Sequence, residues 1–163
     1  MKALPSGPWD ILFQRALRLV DDFRRHGGLA DPFWTLGGGT VLMFRYAHRI
    51  SKDIDIFVPD PQYLGYVTPR LSDAAASMTE RYTEMPGSFV KLQFVEGEID
   101  FVAAPNLTDA AWESWEIQGQ PVRVETAAEA TKPGHVPRFV DWAQPPREVQ
   151  RWRDYLAAAS QAA

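Results

Sequence analysis

The chain has 163 residues, 45% of them hydrophobic, with a formal charge of −4 and no cysteine. That length suits one domain with a real core and excludes a second full-sized one, while the charge excludes a chain-wide attraction to nucleic acid. Disulfide frameworks and thiolate metal sites are excluded too; nothing like a secretory h-region follows Met1, and no stretch approaches the roughly 18 to 20 apolar residues of a bilayer span. The expected setting is the reducing cytoplasm, with no membrane partner.

From the N-terminus, Trp9, Leu12, Phe13, Ala16, Val20 and Phe23 recur at helical spacing, with Ser6 as the expected cap and Gly27-Gly28 as the close. A short extended piece, Phe33 to Leu36, runs into Gly37-Gly38-Gly39-Thr40 and then into a helix expected over Val41 to His48. Asp53 to Val58 alternates strictly, placing Asp53, Asp55 and Phe57 on one strand face and Ile54, Ile56 and Val58 on the other. A helix is expected from about Pro69 to Met78. It is followed by two strands, Glu80 to Met85 and Phe89 to Val95, joined at Pro86-Gly87-Ser88. A turn at Glu96-Gly97 leads to Glu98-Ile99-Asp100-Phe101-Val102, where Asp100 lies opposite an apolar face. Thr108 to Trp115 reads as a short helix and Pro121 to Glu125 as a strand. Thr126 to Glu129 has the form of a capping box. The four prolines between Lys132 and Pro146 mark a loop, and Arg147 to Ala159 reads as a last helix.

Carboxylates at i and i+2 on a strand face have Cα atoms about 6.6 Å apart, and their side chains can converge on one cation. Phosphoryl-transfer sites hold two divalent ions about 3.5 to 4 Å apart with such oxygen ligands. Asp53, Asp55 and Asp100 supply a matching set. Clustered without a cation, they would repel one another and raise their own pKa values. Taken alone, an Asp-x-Asp pair is more often the solvated face of an edge strand, and a Gly run is as often a tight turn. A Gly turn, a helix N-terminus and an Asp-x-Asp strand within 20 residues form a more specific pattern, since the turn offers backbone N–H groups to phosphate. Arg45, Arg49 and Lys52 flank it, read either as solvated charges or as screening for a triphosphate. The chain lacks the Lys-Ser/Thr of a Walker loop, a Gly-x-Ser-x-Gly elbow and a His-Glu-x-x-His pair. His26, His48 and His135 give a zinc site little material.

Leu36-Gly37-Gly38-Gly39-Thr40, continuing through Arg45-Tyr46-Ala47-His48-Arg49-Ile50-Ser51-Lys52 to Asp53-Ile54-Asp55, resembles the signature of the AbiEii/AbiGii nucleotidyltransferase toxins of the DNA polymerase beta superfamily. Glu98 to Val102 resembles that family's strand bearing the third carboxylate. The resemblance covers about Phe33 to Glu129. It implies an α/β (α+β) fold, a mixed β-sheet nucleotidyltransferase core flanked by helices, over residues 1–131, with 132–163 an irregular loop and helix of the same unit. It implies transfer of a nucleotidyl group from a nucleoside triphosphate with Mg²⁺ or Mn²⁺, to tRNA or protein, within a toxin–antitoxin or phage-defence module that has a cognate antitoxin. Asp53, Asp55 and Asp100 would then be catalytic and metal-binding, and Gly38, Gly39, Thr40, Arg49, Ser51 and Lys52 would bind nucleotide or phosphate. The interruption at Lys132-Pro133-Gly134 departs from the family pattern and favours a rival reading, a degenerate fold that binds nucleotide or a partner without turnover. An Asp-x-Asp glycosyltransferase is a third reading, disfavoured because it needs a larger nucleotide-sugar fold.

Overall fold

Among the residues described, alternating runs become strands and the 3.6-period run near the N-terminus becomes a helix in the computed structural model, which describes residues 4–28, 30–47, 50–106 and 108–130. In chain order these are α1 (Trp9–Gly27), β1 (Thr35–Gly37), α2 (Gly38–Tyr46), β2 (Ile54–Val58), a 3₁₀ turn (Pro61–Tyr66), α3 (Asp73–Met78), β3 (Tyr82–Met85), β4 (Phe89–Gln93), β5 (Glu98–Ala103), β6 (Trp112–Ile117), β7 (Gln120–Glu125) and α4 (Ala127–Ala130). The expected loop over 132–146, the expected helix over 147–159, and the residues His48, Arg49 and Lys132 lie outside the described residues.

Among the described residues the seven strands form one mixed sheet in the order β3-β4-β5-β2-β1-β7-β6. Two parallel contacts, β2 with β5 and β1 with β7, join strands far apart in the chain; the other neighbours are antiparallel. One face of the sheet is apolar. Ile54, Ile56, Ile99, Phe101, Val90, Leu92 and Val124 are buried there together with Leu12, Phe13, Ala16, Leu19 and Phe23 of α1. Burying a side chain of this size is worth about 1.5–3 kcal/mol, so this layer is the main source of stability. None of the described helices is long and apolar enough to cross a membrane.

Several boundaries differ from the sequence expectations. Pro8, not Ser6, takes the cap position of α1 and makes no side-chain cap bond. The entry is held instead by Trp9 Nε1 donating to the Pro5 carbonyl at 2.7 Å, and Gly28 closes the helix at φ 65°. The helix expected from Pro69 starts only at Asp73, because the Ser72 hydroxyl accepts the Ala75 N–H at 3.2 Å and sets the first turn there. The larger correction concerns Thr108 to Trp115, read as a short helix. Trp112–Ile117 is an edge strand, paired with β7 through the two-residue turn Gln118-Gly119. Both turn residues have positive φ, 52° and 74°, the geometry that closes a tight hairpin.

Candidate active site

The strand order brings an acidic row together on the face opposite the α1 layer. Asp55 pairs with Asp100 across the parallel β2–β5 register, and Lys91 of β4 is opposite Asp100 on the far side. Gly37 pairs with Asp55 on the near side, and the Leu36–Val124 register puts Glu125 next to Gly37. One line across five strands therefore reads Lys91, Asp100, Asp55, Gly37, Glu125. Adjacent strands are about 4.8 Å apart, so the Asp55 and Asp100 side chains leave the sheet as direct neighbours.

Asp53 is placed differently from the expectation. The strand begins at Ile54, one residue later, and Asp53 sits at its mouth. Its Oδ1 accepts the Glu98 N–H at 2.9 Å, tying the start of β2 to the start of β5. Its carbonyl accepts a hydrogen bond from the Thr40 hydroxyl, and Ser51 Oγ lies 3.1 Å from the same hydroxyl. Thr40 and Ser51 are both buried, and the Ser51 N–H points to Met43 Sδ at 3.1 Å. Their hydroxyls thus hold the Asp53 segment onto α2 rather than facing outward as phosphate donors. Lys52, between them, is exposed.

The glycines are where backbone must approach the acids. Gly38 has φ 71°, and a methyl group there would collide with the Asp55 carboxylate. A methyl at Gly37 would collide with the Glu125 carboxylate and come within 2.8 Å of the Phe57 ring. Only glycine lets α2 begin against Asp55, and the first-turn N–H groups of Gly38, Gly39 and Thr40, which a helix leaves without a carbonyl partner, lie at this end of α2.

Asp55 keeps some accessible surface, yet protein is packed densely around its carboxylate. Burial, then the charges of Asp100 and Asp53, push its pKa well above the ordinary 3.8; Glu125 adds to the rise and Lys91 opposes it. Such an environment fits a divalent cation: the donors are all carboxylate oxygens, the class that Mg²⁺ and Mn²⁺ take, and a cation would relieve the crowding that now favours a proton. Asp55 and Asp100 are the adjacent pair, and Asp53 is near enough for its charge to act on Asp55. Among the described residues no three acidic or imidazole side chains already converge as a ligand cluster.

Arg45, read either as a solvated charge or as screening for a triphosphate, is turned to the β6–β7 hairpin. Its Nε and Nη2 donate to the Glu125 carbonyl at 3.2 and 2.6 Å, its Nη1 pairs with Glu113 at 2.7 Å, and its guanidinium lies 4.8 Å over the Trp115 ring. Sequence reasoning missed Lys91 and Glu125 as members of the row. The signal was available: each occupies the polar phase of a strand whose other phase, Val90 and Leu92 or Val122 and Val124, is buried.

Neither the curated proteins nor the solved structures give a match. A family model does: residues 19–150 match the family described as nucleotidyl transferase AbiEii toxin, Type IV TA system. That span includes the Gly turn, α2, the Asp-x-Asp strand and the strand of Asp100, and takes in well over half of the chain. The chain belongs to the AbiEii nucleotidyltransferase toxin family.

Proposed function

We propose that this protein transfers a nucleotidyl group from a nucleoside triphosphate to an acceptor in a reaction that depends on Mg²⁺ or Mn²⁺, as the toxin of a toxin–antitoxin pair. The observation that carries this reading is the Asp55–Asp100 pair in register beside a helix N-terminus that only Gly38 allows to come so near. Asp55 and Asp100 hold the cation, with Asp53 contributing from the strand mouth. The N–H groups of Gly38 and Gly39 bind phosphate oxygens, and Lys52 and Arg49 screen the triphosphate. Thr40 and Ser51 act indirectly, by fixing the Asp53 segment. When bound, the divalent ion offsets charge that develops on the α-phosphoryl group and the departing pyrophosphate. Asp100 accepts the proton of the acceptor hydroxyl as that oxygen bonds to the α-phosphorus and pyrophosphate leaves. The acceptor classes to test are tRNA and protein, and a cognate antitoxin is the expected partner.

The test is transfer of label from each of the four nucleoside triphosphates to bulk tRNA and to protein, in Mg²⁺ and in Mn²⁺. Transfer by the wild type that is abolished by a chelator and by Asp55→Asn is the expected result. Full activity in the chelator would overturn the metal-dependent reading. Nucleotide binding with no transfer to any acceptor would instead support the degenerate, non-catalytic fold.

A further inference from the structure

Glu125 ends β7 on the acidic face and is fully buried, although a carboxylate is an expensive group to remove from water. Among the described residues, several contacts help to fix it. Thr35 Oγ1 donates to Oε1 at 3.4 Å, the carboxylate lies in the volume that any side chain at Gly37 would fill, and the backbone carbonyl is gripped by Arg45. Arg45 is in the last turn of α2, and Gly37 is the residue before its first turn. Glu125 therefore touches both ends of the helix that begins against Asp55, through its carbonyl at one end and its carboxylate at the other. It stands two strands from Asp55, about 10 Å along the row at the Cα level. Position 37 between them carries no side chain, and the Glu125 carboxylate and the edge of the Phe57 ring fill the space a side chain there would take.

We infer that Glu125 is a positioning residue of the acid site: its carboxylate occupies the slot left open by Gly37 and thereby sets the Gly37–Gly38 turn and the Asp55 carboxylate for uptake of a divalent cation. The inference rests on the metal-dependent reading above. It assigns to this chain a fourth acidic residue that acts through Gly37 and Asp55. A volume-filling role would be served equally by the isosteric amide. A positioning role that includes charge would not, since the negative field at Asp55 would fall.

The experiment is a titration with Mn²⁺ alone, followed by electron paramagnetic resonance, on the wild type, Glu125→Gln, Glu125→Asp and Asp55→Asn. Thermal melts in chelator run alongside. Glu125→Gln keeps the volume and an acceptor for Thr35. It is expected to weaken Mn²⁺ binding about 10-fold or more, the usual effect of removing a group that supports a ligand. Its melting midpoint in chelator is expected to equal or exceed that of the wild type. Glu125→Asp retains the charge but withdraws it from the slot, and its affinity is expected to fall between wild type and Glu125→Gln. Wild-type affinity in Glu125→Gln overturns the inference; should that variant not fold, wild-type affinity in Glu125→Asp does so. If the wild type takes up no Mn²⁺, the metal-dependent reading fails and takes this inference with it. If Asp55→Asn abolishes uptake while Glu125→Gln leaves it intact, only the role of Glu125 fails.

Discussion

The two faces of the central strands β2 and β5 are built from alternate residues of the same short segments, and they behave as opposites. Ile54, Ile56, Ile99 and Phe101 are fully buried against α1, where each adds to stability. Asp55, one residue away on the same strand and beside Asp100 of the next, is crowded with like charge and held away from its ionised form in the absence of a cation. A strand can serve both purposes because its side chains leave the sheet in opposite directions every 3.3 Å or so. Stability is concentrated on one face, which frees the other to hold an arrangement that is unfavourable until a ligand arrives.

Substitutions on the two faces should separate along this line. The largest stability effect is expected on the apolar face. Phe101→Ala opens a cavity in the centre of the core and should cost about 3–5 kcal/mol, read as a fall in the denaturant midpoint. A loss under about 1 kcal/mol would mean that α1 does not seal this face. Gly38→Ala comes next. The added methyl meets the Asp55 carboxylate, and φ 71° disfavours any L side chain, for a cost of about 1–3 kcal/mol. Its expected signature is a loss of Mn²⁺ affinity out of proportion to the loss of stability, because the collision falls on the acid rather than on the core.

Asp55→Asn is expected to move stability the other way. In the metal-free protein the native carboxyl binds its proton more tightly than the unfolded one does, since its pKa is raised above 3.8. Below that value both states are protonated and the site carries no penalty. As pH rises from there through the native pKa, the wild type loses stability that the neutral amide does not lose. Melts in chelator should therefore show Asp55→Asn more stable than wild type at pH 7, with the gap closing towards pH 4. A variant less stable than wild type at both pH values would mean that the carboxylate is stabilised by groups other than those on the acidic row.

Much of this division is legible in the sequence. Strict alternation through Ile54 to Val58 and Glu98 to Val102 assigns the faces of β2 and β5, and the turn at Gly37 to Thr40 marks the start of α2. What remains hidden is set by pairing between distant segments. Asp53 looks like a strand residue in sequence, but the Thr40 hydroxyl and the Glu98 N–H pin it at the strand mouth. Thr108 to Trp115 reads as a short helix in isolation, and Trp112 to Ile117 becomes an edge strand because β7 and the Gln118-Gly119 turn supply a partner. Glu125 is visible as the end of a strand, yet its place beside Gly37 requires the parallel β1–β7 contact between Leu36 and Val124, segments far apart in the chain. No local pattern encodes that contact.

The smallest expected effect lies on neither face and tests whether stability and cation binding are separable. Gln118 adopts φ 52° in a turn whose two central residues both have positive φ, and Asn is preferred over Gln there because its short amide tolerates the left-handed region. Gln118→Asn creates the favoured Asn-Gly pair with Gly119. It gives up only the exposed contacts of Gln118 Nε2 with the Asp10 carbonyl and Oδ1, which at 3.4 and 3.3 Å are long. The net gain should be about 0.5 kcal/mol, or roughly 1–2 °C in melting midpoint for a chain of this size. Mn²⁺ affinity should not change, because the turn sits at the far end of the hairpin from Glu125. Asp55→Asn is expected to raise the midpoint while removing the cation, whereas Gln118→Asn raises it and leaves the cation alone. A change in Mn²⁺ affinity in Gln118→Asn would show that the β6–β7 hairpin transmits strain along its length to the acidic row, and that the two faces are less independent than their alternation suggests.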